Sequence, residues 1–247
     1  MVKVIEFQDK NKLYITNSVK EFNTMHNNGL SVVAEFQTYP DGMINDYDID
    51  NVKWPHLDII VTDSSYLSNN ELYKIYQRIN DIPWQILKTE RTIVRESTVD
   101  DVDRFYEIYT NDEITRYTDS LFENPNDEKE YMKQYIKNVY GFYGYGIWSV
   151  LDSNTNIVIG RAGISMIEGA SYPELGFITD IHYQHKGLTY EVTLAILKYA
   201  KSELGLNTIQ ARVKPENKRS IALLKRLGFN IPHTPCQGYL TALHTFS

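Results

Sequence analysis

The chain has 247 residues, of which 42% are hydrophobic, and its formal net charge is −7. This length suits one large or two modest domains, and the hydrophobic content excludes a disordered chain. The negative charge argues against nucleic acid as a main partner, and no apolar run approaches the ~18 residues of a membrane span, so we expect a cytoplasmic protein without a membrane partner.

Residues 1–88 are predicted to form a small, mostly parallel α/β domain, because strand patterns alternate with helix patterns. The predicted strands are 13–16, 30–36, 56–63 and 84–87, and the predicted helices are 19–28 and 68–80. Residues 37–55 are rich in Asp, Asn, Gly and Pro, which indicates a loop. Ligands of such a sheet bind beyond the carboxyl ends of its strands. Those ends carry Thr16, Asn17, Asp63 and Ser64.

One strand of this domain ends in Thr-Asn. The segment Leu13-Tyr14-Ile15-Thr16-Asn17-Ser18 resembles the second motif of haloacid-dehalogenase-like phosphatases. That family's nucleophile motif is Asp-x-Asp at the end of an apolar strand. The match here is Asp48-Ile49-Asp50, which stands in the polar loop after the Thr-Asn strand, in the wrong place and order. The resemblance therefore implies a half-domain without catalysis, and we predict that residues 1–88 dock a partner or shape an acceptor site, with an independent small-molecule site as the alternative.

The second domain is predicted to begin at residue 89, with a strand at 92–95 and helices at 97–109 and 126–140. Strands at 146–151 and 157–164 follow as a hairpin around a polar turn. Between and after the helices lies an aromatic set: Tyr106, Tyr109, Tyr117, Phe122, Tyr131, Tyr135, Tyr140, Phe142, Tyr143 and Tyr145. We predict that most of them fill the core or its rim, and that some line a pocket as an apolar wall with hydroxyl groups.

A strand-like run at 174–181 leads into the polar turn 183–187 and then into an amphipathic helix. The first amide groups of a helix lack internal partners and carry the positive end of its dipole. Because Gly187 keeps the turn open, this helix start is predicted to bind an anion, and a pyrophosphate fits.

A second polar helix start follows downstream. Asn217 is predicted to be its N-cap, since the side chain can accept from exposed amides. Ile221, Leu224 and Gly228 then share one face, with the basic side chains elsewhere. Gly228 suits a left-handed helix end that sends Phe229 into a strand.

These two stretches together resemble a family. Gln184-x-x-Gly187-x-Thr189 is similar to the Gln/Arg-x-x-Gly-x-Gly/Ala signature with which the GNAT superfamily of N-acetyltransferases holds the pyrophosphate of acetyl-CoA. The run from 217 to 229 is similar to the second signature, Asn-x-x-Ser, a helix, then Leu-Gly-Phe. Thr189 departs from the usual small residue and leaves less room near the phosphates. The resemblance covers about residues 89–232 and is closest to the branch that contains ribosomal-protein N-terminal acetyltransferases.

The resemblance implies an α/β (α+β) GNAT fold over residues 89–247, with a central mixed sheet flanked by helices. It implies acetyl-CoA as acyl donor and no metal. The implied cofactor contacts are the turn Gln184, His185, Lys186, Gly187, Leu188 and Thr189, and the side chains of Asn217 and Ser220. The amide of Ile178 or Ile181 is expected to donate to the tetrahedral oxyanion, where the two central strands splay apart. For Asn217 a helix cap, and for Ser220 a surface position, are the alternatives.

Charge is distributed unevenly along this domain. Residues 89–180 carry 8 basic and 17 acidic side chains, a net charge of −9, and residues 181–230 carry 9 basic and 3 acidic ones, a net charge of +6. The positive part is where the cofactor phosphates are expected, and the acidic part suits a cationic amine acceptor. Solvated helix faces are the alternative reading of both.

Acetyl transfer needs a group that takes a proton from the attacking amine. Glu174 is the candidate base, because the resemblance puts it beside the thioester, with a plain salt bridge as the alternative. Many family members carry a proton-donating Tyr four residues before the Gly of Leu-Gly-Phe, and Leu224 stands there in this chain. Tyr239 or Tyr190 is the substitute donor, or the thiolate leaves unaided.

We therefore predict an acetyl-CoA-dependent N-acetyltransferase that acts on the primary amine of a small molecule or peptide by direct attack. The alternative is a noncatalytic acyl-CoA-binding sensor with residues 1–88 as its output. Cys236 is the single cysteine, which excludes an internal disulfide, and we treat it as a bystander thiol. A homodimer is left open by the sequence.

Overall fold

The computed structural model describes residues 2–36 and 59–246 and divides the chain into two compact units, Met1–Trp84 and Gln85–Ser247. The strand predicted at 84–87 is found at Gln85–Lys88, where it pairs with the next strand of the second unit rather than with the first sheet. The predicted loop at 37–55, the motif Asp48-Ile49-Asp50 and the first part of the strand at 56–63 lie outside the described residues.

The first unit is a four-stranded sheet with two helices. Its strands, in the spatial order β1-β2-β3-β4, are β1 Lys3–Glu6, β2 Lys12–Thr16, β3 Val32–Glu35 and β4 Ile60–Val61, and its helices are α1 Val19–Asn27 and α2 Asn69–Ile79. Strand β1 is antiparallel to β2 and the other pairings are parallel. The sequence pattern missed β1 because most of its residues are exposed and show no apolar alternation.

Both predicted helices of this unit begin at their expected caps. The hydroxyl of Ser18 accepts from the amide of Glu21, and Ser68 and Glu71 form a reciprocal capping box. Helix α1 packs Phe22 against Val32, whereas α2 belongs to a separate apolar cluster on the sheet. The unit is thus a mostly parallel α/β layer, as predicted.

The second unit is built on a seven-stranded mixed sheet in the order β11-β10-β9-β8-β7-β6-β5. Its strands are β5 Gln85–Lys88, β6 Thr92–Arg95, β7 Ile147–Asp152, β8 Val158–Ser165, β9 Glu174–Thr179, β10 Thr208–Val213 and β11 Leu240–Thr245. Its helices are α3 Asp101–Tyr109, α4 Asp112–Thr115, α5 Pro125–Tyr135, α6 Leu188–Ser202 and α7 Lys218–Arg226. Within the described residues, no helix is both long and apolar enough to cross a membrane.

Helices cover both faces of this sheet. On one face α6 packs Val192 and Ile196 into a core shared with Trp148 of β7, and on the other α3 and α5 pack Phe105 and Met132 against the sheet. This arrangement confirms the predicted mixed sheet flanked by helices.

Strands β9 and β10 separate soon after they meet. They are parallel, their register joins them at Glu174 and Gln210, and the amide of Gln210 donates to the carbonyl of Pro173 at 2.9 Å. Every other neighbouring pair in this sheet is antiparallel, with longer registers. Beyond that single position, unpaired strand edges face each other and the sheet opens.

Two predicted elements differ from the structure. The helix predicted to run to residue 140 changes at Ile136–Tyr140 into a π-helix, where the Tyr140 hydroxyl donates to the carbonyl of Ile147 at 2.5 Å and accepts from the amide of Ser97 at 3.1 Å. Gly228 does end α7 with a φ of 85°, but the residues after it form an isolated bridge from Asn230 to Leu243, not a strand.

A buried ion pair ties α3 to the sheet. Both Nη atoms of Arg95 donate to Asp101 at 2.7 Å, and this carboxylate also accepts from the Thr98 amide and the Ser149 hydroxyl at 2.8 Å. Burial by itself raises the pKa of Asp101, but the hydrogen bonds from Arg95 and Thr98 outweigh it, and the pKa lies below its ordinary value of 3.8.

We predict that Asp101→Asn destabilises the second unit by about 3 kcal/mol, since it leaves a partly buried arginine without its carboxylate. Because the folded-state pKa of Asp101 is depressed, its contribution is fully present above pH ~4 and is lost as the pH falls through the folded value. Thermal unfolding between pH 3 and 7 measures both effects. Asp103→Asn, an exposed change on the same helix, should shift the melting temperature little; equal shifts for both variants would contradict the prediction.

Candidate functional site

The loop between β9 and α6 shapes the predicted anion site. Gly187 is the N-cap of α6 with a φ of 76°, in the left-handed region that favours glycine, and His185 before it has a φ of 60°. The side chain of Leu188 is buried in the core, which anchors the first turn of the helix. The loop thus reverses direction and leaves the helix start exposed beside the opened edge of β9.

The first amides of α6 have no partner. In the described part of the chain, no carbonyl or side chain accepts from the amides of Leu188, Thr189 or Tyr190; the first bonded amide of the helix is that of Glu191, which donates to Gly187 at 3.1 Å. Open amides and the helix dipole together favour an anion at this position.

Thr189, which departs from the small residue of the family signature, is accommodated by β9. Its hydroxyl lies 2.9 Å from that of Thr179, so the side chain is turned toward the strand. The hydroxyl of Thr189 therefore pairs with the hydroxyl of Thr179 and does not occupy the anion site.

An arginine that the sequence analysis missed lies at the same loop. Arg91 donates through Nε to Glu191 at 2.7 Å and through Nη1 to the carbonyl of Lys186 at 2.9 Å. Burial raises the pKa of Glu191, but hydrogen bonds from Thr89 and Arg91 outweigh it and lower the pKa. A charged glutamate in the first turn of α6 competes with a bound phosphate, and the arginine offsets that charge.

Gln184 is engaged with protein groups on both ends of its amide. Its Nε2 donates to the carbonyl of Thr179 at 3.0 Å, and its Oε1 lies 3.4 Å from Arg219. Arg219, at the start of α7, also donates to Glu113 of α4 at 3.0 Å. The side chains of the loop, α7 and α4 therefore meet at one edge of the opening.

Other predicted cofactor contacts have structural uses. The Asn217 side chain accepts from the Ser220 amide at 3.1 Å, so the alternative of a helix cap is realised. His185 and Lys186 are exposed. Ile181 begins a short 3₁₀ turn, Ile181–Tyr183, beyond the end of β9.

The register of β9 contradicts Ile178 as an amide donor in the opening. The Asp180 amide donates to the Ile159 carbonyl on β8 at 2.8 Å, and alternate amides of a strand point to the same neighbour. The Ile178 amide therefore faces β8. The amides of Phe177 and Thr179 face the other side, toward β10.

The candidate base and one candidate proton donor lie beside the same arginine. Glu174 accepts at Oε2 from Arg212 at 2.7 Å and from Gln210 at 3.1 Å, while the Arg212 guanidinium lies 5.7 Å from the ring centroid of Tyr239. The Glu174 side chain is 14% exposed and that of Arg212 is 41% exposed. The sequence signal for this cluster is that Gln210 and Arg212 are two residues apart on β10, so their side chains lie on the same face of the sheet.

Tyr239 owes its position to a tight hairpin. Cys236 and Tyr239 exchange backbone hydrogen bonds, and both residues between them, Gln237 and Gly238, have positive φ. Tyr190 lies elsewhere, stacked under Arg226 at 3.8 Å. Leu224, which replaces the family's tyrosine, is buried in the core.

Comparison with known proteins identifies the family. Residues 91–230 match the family model described as an acetyltransferase (GNAT) domain. YoaA of Bacillus subtilis (strain 168), an uncharacterized N-acetyltransferase, is 30% identical over 151 residues, which cover 58% of this chain and 82% of that protein.

Two solved structures share the fold. An acetyltransferase from Agrobacterium tumefaciens str. C58 has a TM-score of 0.57 at 22% identity and covers 65% of this chain and 94% of its own. The ribosomal L7/L12 alpha-N-protein acetyltransferase in complex with coenzyme A has a TM-score of 0.54 at 12% identity and covers 66% and 98%.

These findings do not support the haloacid-dehalogenase-like resemblance of residues 13–18, which stays a prediction. The matched family model spans more than half of the chain, and the chain therefore belongs to the GNAT acetyltransferase family and is an N-acetyltransferase.

Proposed function

We propose that this enzyme transfers an acetyl group from acetyl-CoA to the primary amine of a peptide or protein by direct attack. The observation that carries the proposal is the set of open amides at Leu188, Thr189 and Tyr190 beside the gap between β9 and β10. A diphosphate fits the helix start, and the separated strands provide unpaired backbone along which the pantetheine arm can hydrogen-bond.

Similarity to known acetyltransferases supports a peptide or protein amine as the acceptor. One structural neighbour is described as a protein acetyltransferase of ribosomal L7/L12, although the similarity is one of fold. The acidic part of the domain, 89–180, fits a cationic amine before it loses its proton.

Glu174 is proposed to take that proton, directly or through a water molecule. In the resting protein its carboxylate is bound by Arg212 and Gln210, so an incoming ammonium group has to share or replace one of these donors. The neutral amine then attacks the thioester carbonyl, and the positively charged nitrogen of the tetrahedral intermediate loses its second proton to solvent. The carbon–sulfur bond breaks, and the thiolate leaves. Tyr239, next to Arg212, is the proposed source of a proton for the thiolate.

The negative oxygen that develops during attack needs a donor. The amide of Phe177 faces the gap from the middle of β9, and we propose it for this role in place of Ile178. No side chain is required for such a contact, which fits the mainly apolar sequence of β9.

We predict that Gly187→Glu weakens acetyl-CoA binding at least tenfold, because it adds a negative charge at the anion site and strains a left-handed residue. Isothermal titration with acetyl-CoA measures this. Gly205→Glu is the matched control, since Gly205 also has a positive φ, of 64°, and open space around it. The control should bind as the wild type does; equal affinity of the Gly187 variant would remove the phosphate site from the helix start.

We predict that Glu174→Gln lowers kcat by about 10²-fold and leaves acetyl-CoA affinity unchanged, because proton acceptance is lost while the anion site at α6 is untouched. Release of free CoA with peptide amines provides the rate. Glu168→Gln, the same change in the exposed loop before β9, is the control and should retain full activity. If kcat of the Glu174 variant stays within twofold of the wild type, Glu174 is only a salt-bridge residue. Acetyl-CoA binding without turnover of any amine would instead favour the noncatalytic sensor.

A further inference from the structure

Arg161 lies in the middle of β8, on the face that α3 covers. Its register partners are Ser149 on β7 and Ile178 on β9. The residue is half-buried, but its Nε atom is sealed from solvent and has no hydrogen-bond partner. A shielded guanidinium donor without an acceptor is costly and calls for a physical explanation.

The surroundings of Arg161 are aromatic. Its guanidinium lies 4.5 Å from the ring centroid of Phe105, and its nearest titratable neighbours are the phenols of Tyr109, Tyr135 and Tyr140. Burial opposes the charge, but these phenols outweigh it and the pKa of Arg161 lies above its ordinary value. The side chain is therefore a cation held by neutral groups.

Two other arginines near α3 show what is absent at Arg161. Arg95 is paired with Asp101, and Arg104 is paired with Asp180 and Glu107. Among the described residues, no carboxylate lies within ion-pair distance of Arg161. A partly buried charge that lacks a counter-ion among the described residues is positioned to receive one from a ligand.

Arg161 shares a sheet face with the candidate base. Glu174 pairs with Ser165, and Ile178 pairs with Arg161. These two cross-strand pairs are four residues apart along the strands, or about 13 Å. Between them lies the cross-strand pair Gly163 and Gly176, where the side chain of Ile147 on β7 packs beside Gly176.

We propose that Arg161 binds a carboxylate of the acyl acceptor. The substrate is then a peptide whose free amine is followed, within about four residues, by Asp or Glu, because an extended chain spans about 3.4 Å per residue. This inference rests on the proposed acetyl transfer to a peptide amine and adds the acceptor's sequence preference.

The test uses the full chain, acetyl-CoA and decapeptides with a free amino terminus. Glutamate is placed at position 2, 3 or 4 of one set, and glutamine at the same position of the matched set. We expect at least one glutamate peptide to exceed its glutamine partner tenfold in kcat/KM, mainly through KM. No peptide turnover at all would overturn the proposed function, whereas equal turnover of both sets overturns only the role of Arg161.

Two variants assign the preference to the residue. Arg161→Met should abolish the glutamate preference, and Arg161→Gln, which keeps a donor for Tyr109, should do the same if the methionine variant fails to fold. Arg116→Met, at an exposed arginine of the same unit, is the control and should retain the preference. If an Arg161 variant slows both peptide sets equally, Arg161 has only a structural role, and the proposal is contradicted.

The cofactor also carries anions, so acetyl-CoA affinity is measured for each variant. We expect Arg161→Gln to bind acetyl-CoA as the wild type does. A tenfold loss would assign the arginine to the cofactor phosphates and overturn the acceptor role.

Discussion

The single-position pairing of β9 with β10 is the constraint on which the candidate site depends. Backbone groups of a sheet are normally satisfied by the neighbouring strand, and here the ladder stops after Glu174 and Gln210. The unpaired edges need another partner, and the loop that follows β9 presents its own open amides at Leu188 to Tyr190 next to the same gap. A ligand with hydrogen-bonding groups along an arm and a diphosphate at one end satisfies both sets at once.

Charge placement follows the same geometry. The basic part of the chain, 181–230, includes the loop and α7, which border the proposed phosphate site, and the acidic part, 89–180, includes α3 and α5. Arg161 is an exception within the acidic part, a cation surrounded by aromatic groups rather than carboxylates. An acidic segment that contains one cation among aromatic groups is compatible with the proposed acceptor, which carries an amine and, farther along its chain, a carboxylate.

Local signals were enough to predict most elements of the fold. Gly187, Asn217 and Gly228 each act through backbone geometry or a cap, which depends on the residue and its near neighbours, and the structure places all three at helix ends. The separation of β9 and β10 was expected from the family resemblance and not from any residue pattern. Strand β1 was missed because an exposed edge strand has no apolar period.

The side-chain partners were less predictable, because they join distant parts of the chain. Arg91 and Glu191 are 100 residues apart, and the partners of Arg212 lie on β9 and in the hairpin before β11. From the sequence, Thr189 is expected to leave less room near the phosphates, whereas the structure shows its hydroxyl paired with Thr179 on β9. For Ile178, a shift of one residue along the strand changes which neighbouring strand the amide faces. The register that decides this is known only from the structure.

The position of Arg212 bears on how a base that is already in an ion pair can act. Arg212 contacts Glu174 through its Nε and lies over Tyr239 with its guanidinium, so one cation links the proposed proton acceptor to the proposed proton donor. In the proposed mechanism, an ammonium group replaces Arg212 at the carboxylate while the arginine stays near the tyrosine. The exposed fraction of Arg212 is nearly three times that of Glu174, so the arginine is the partner with room to move. Under the proposed mechanism, the resting ion pair orients Glu174 until the acceptor arrives, so the pair is compatible with catalysis.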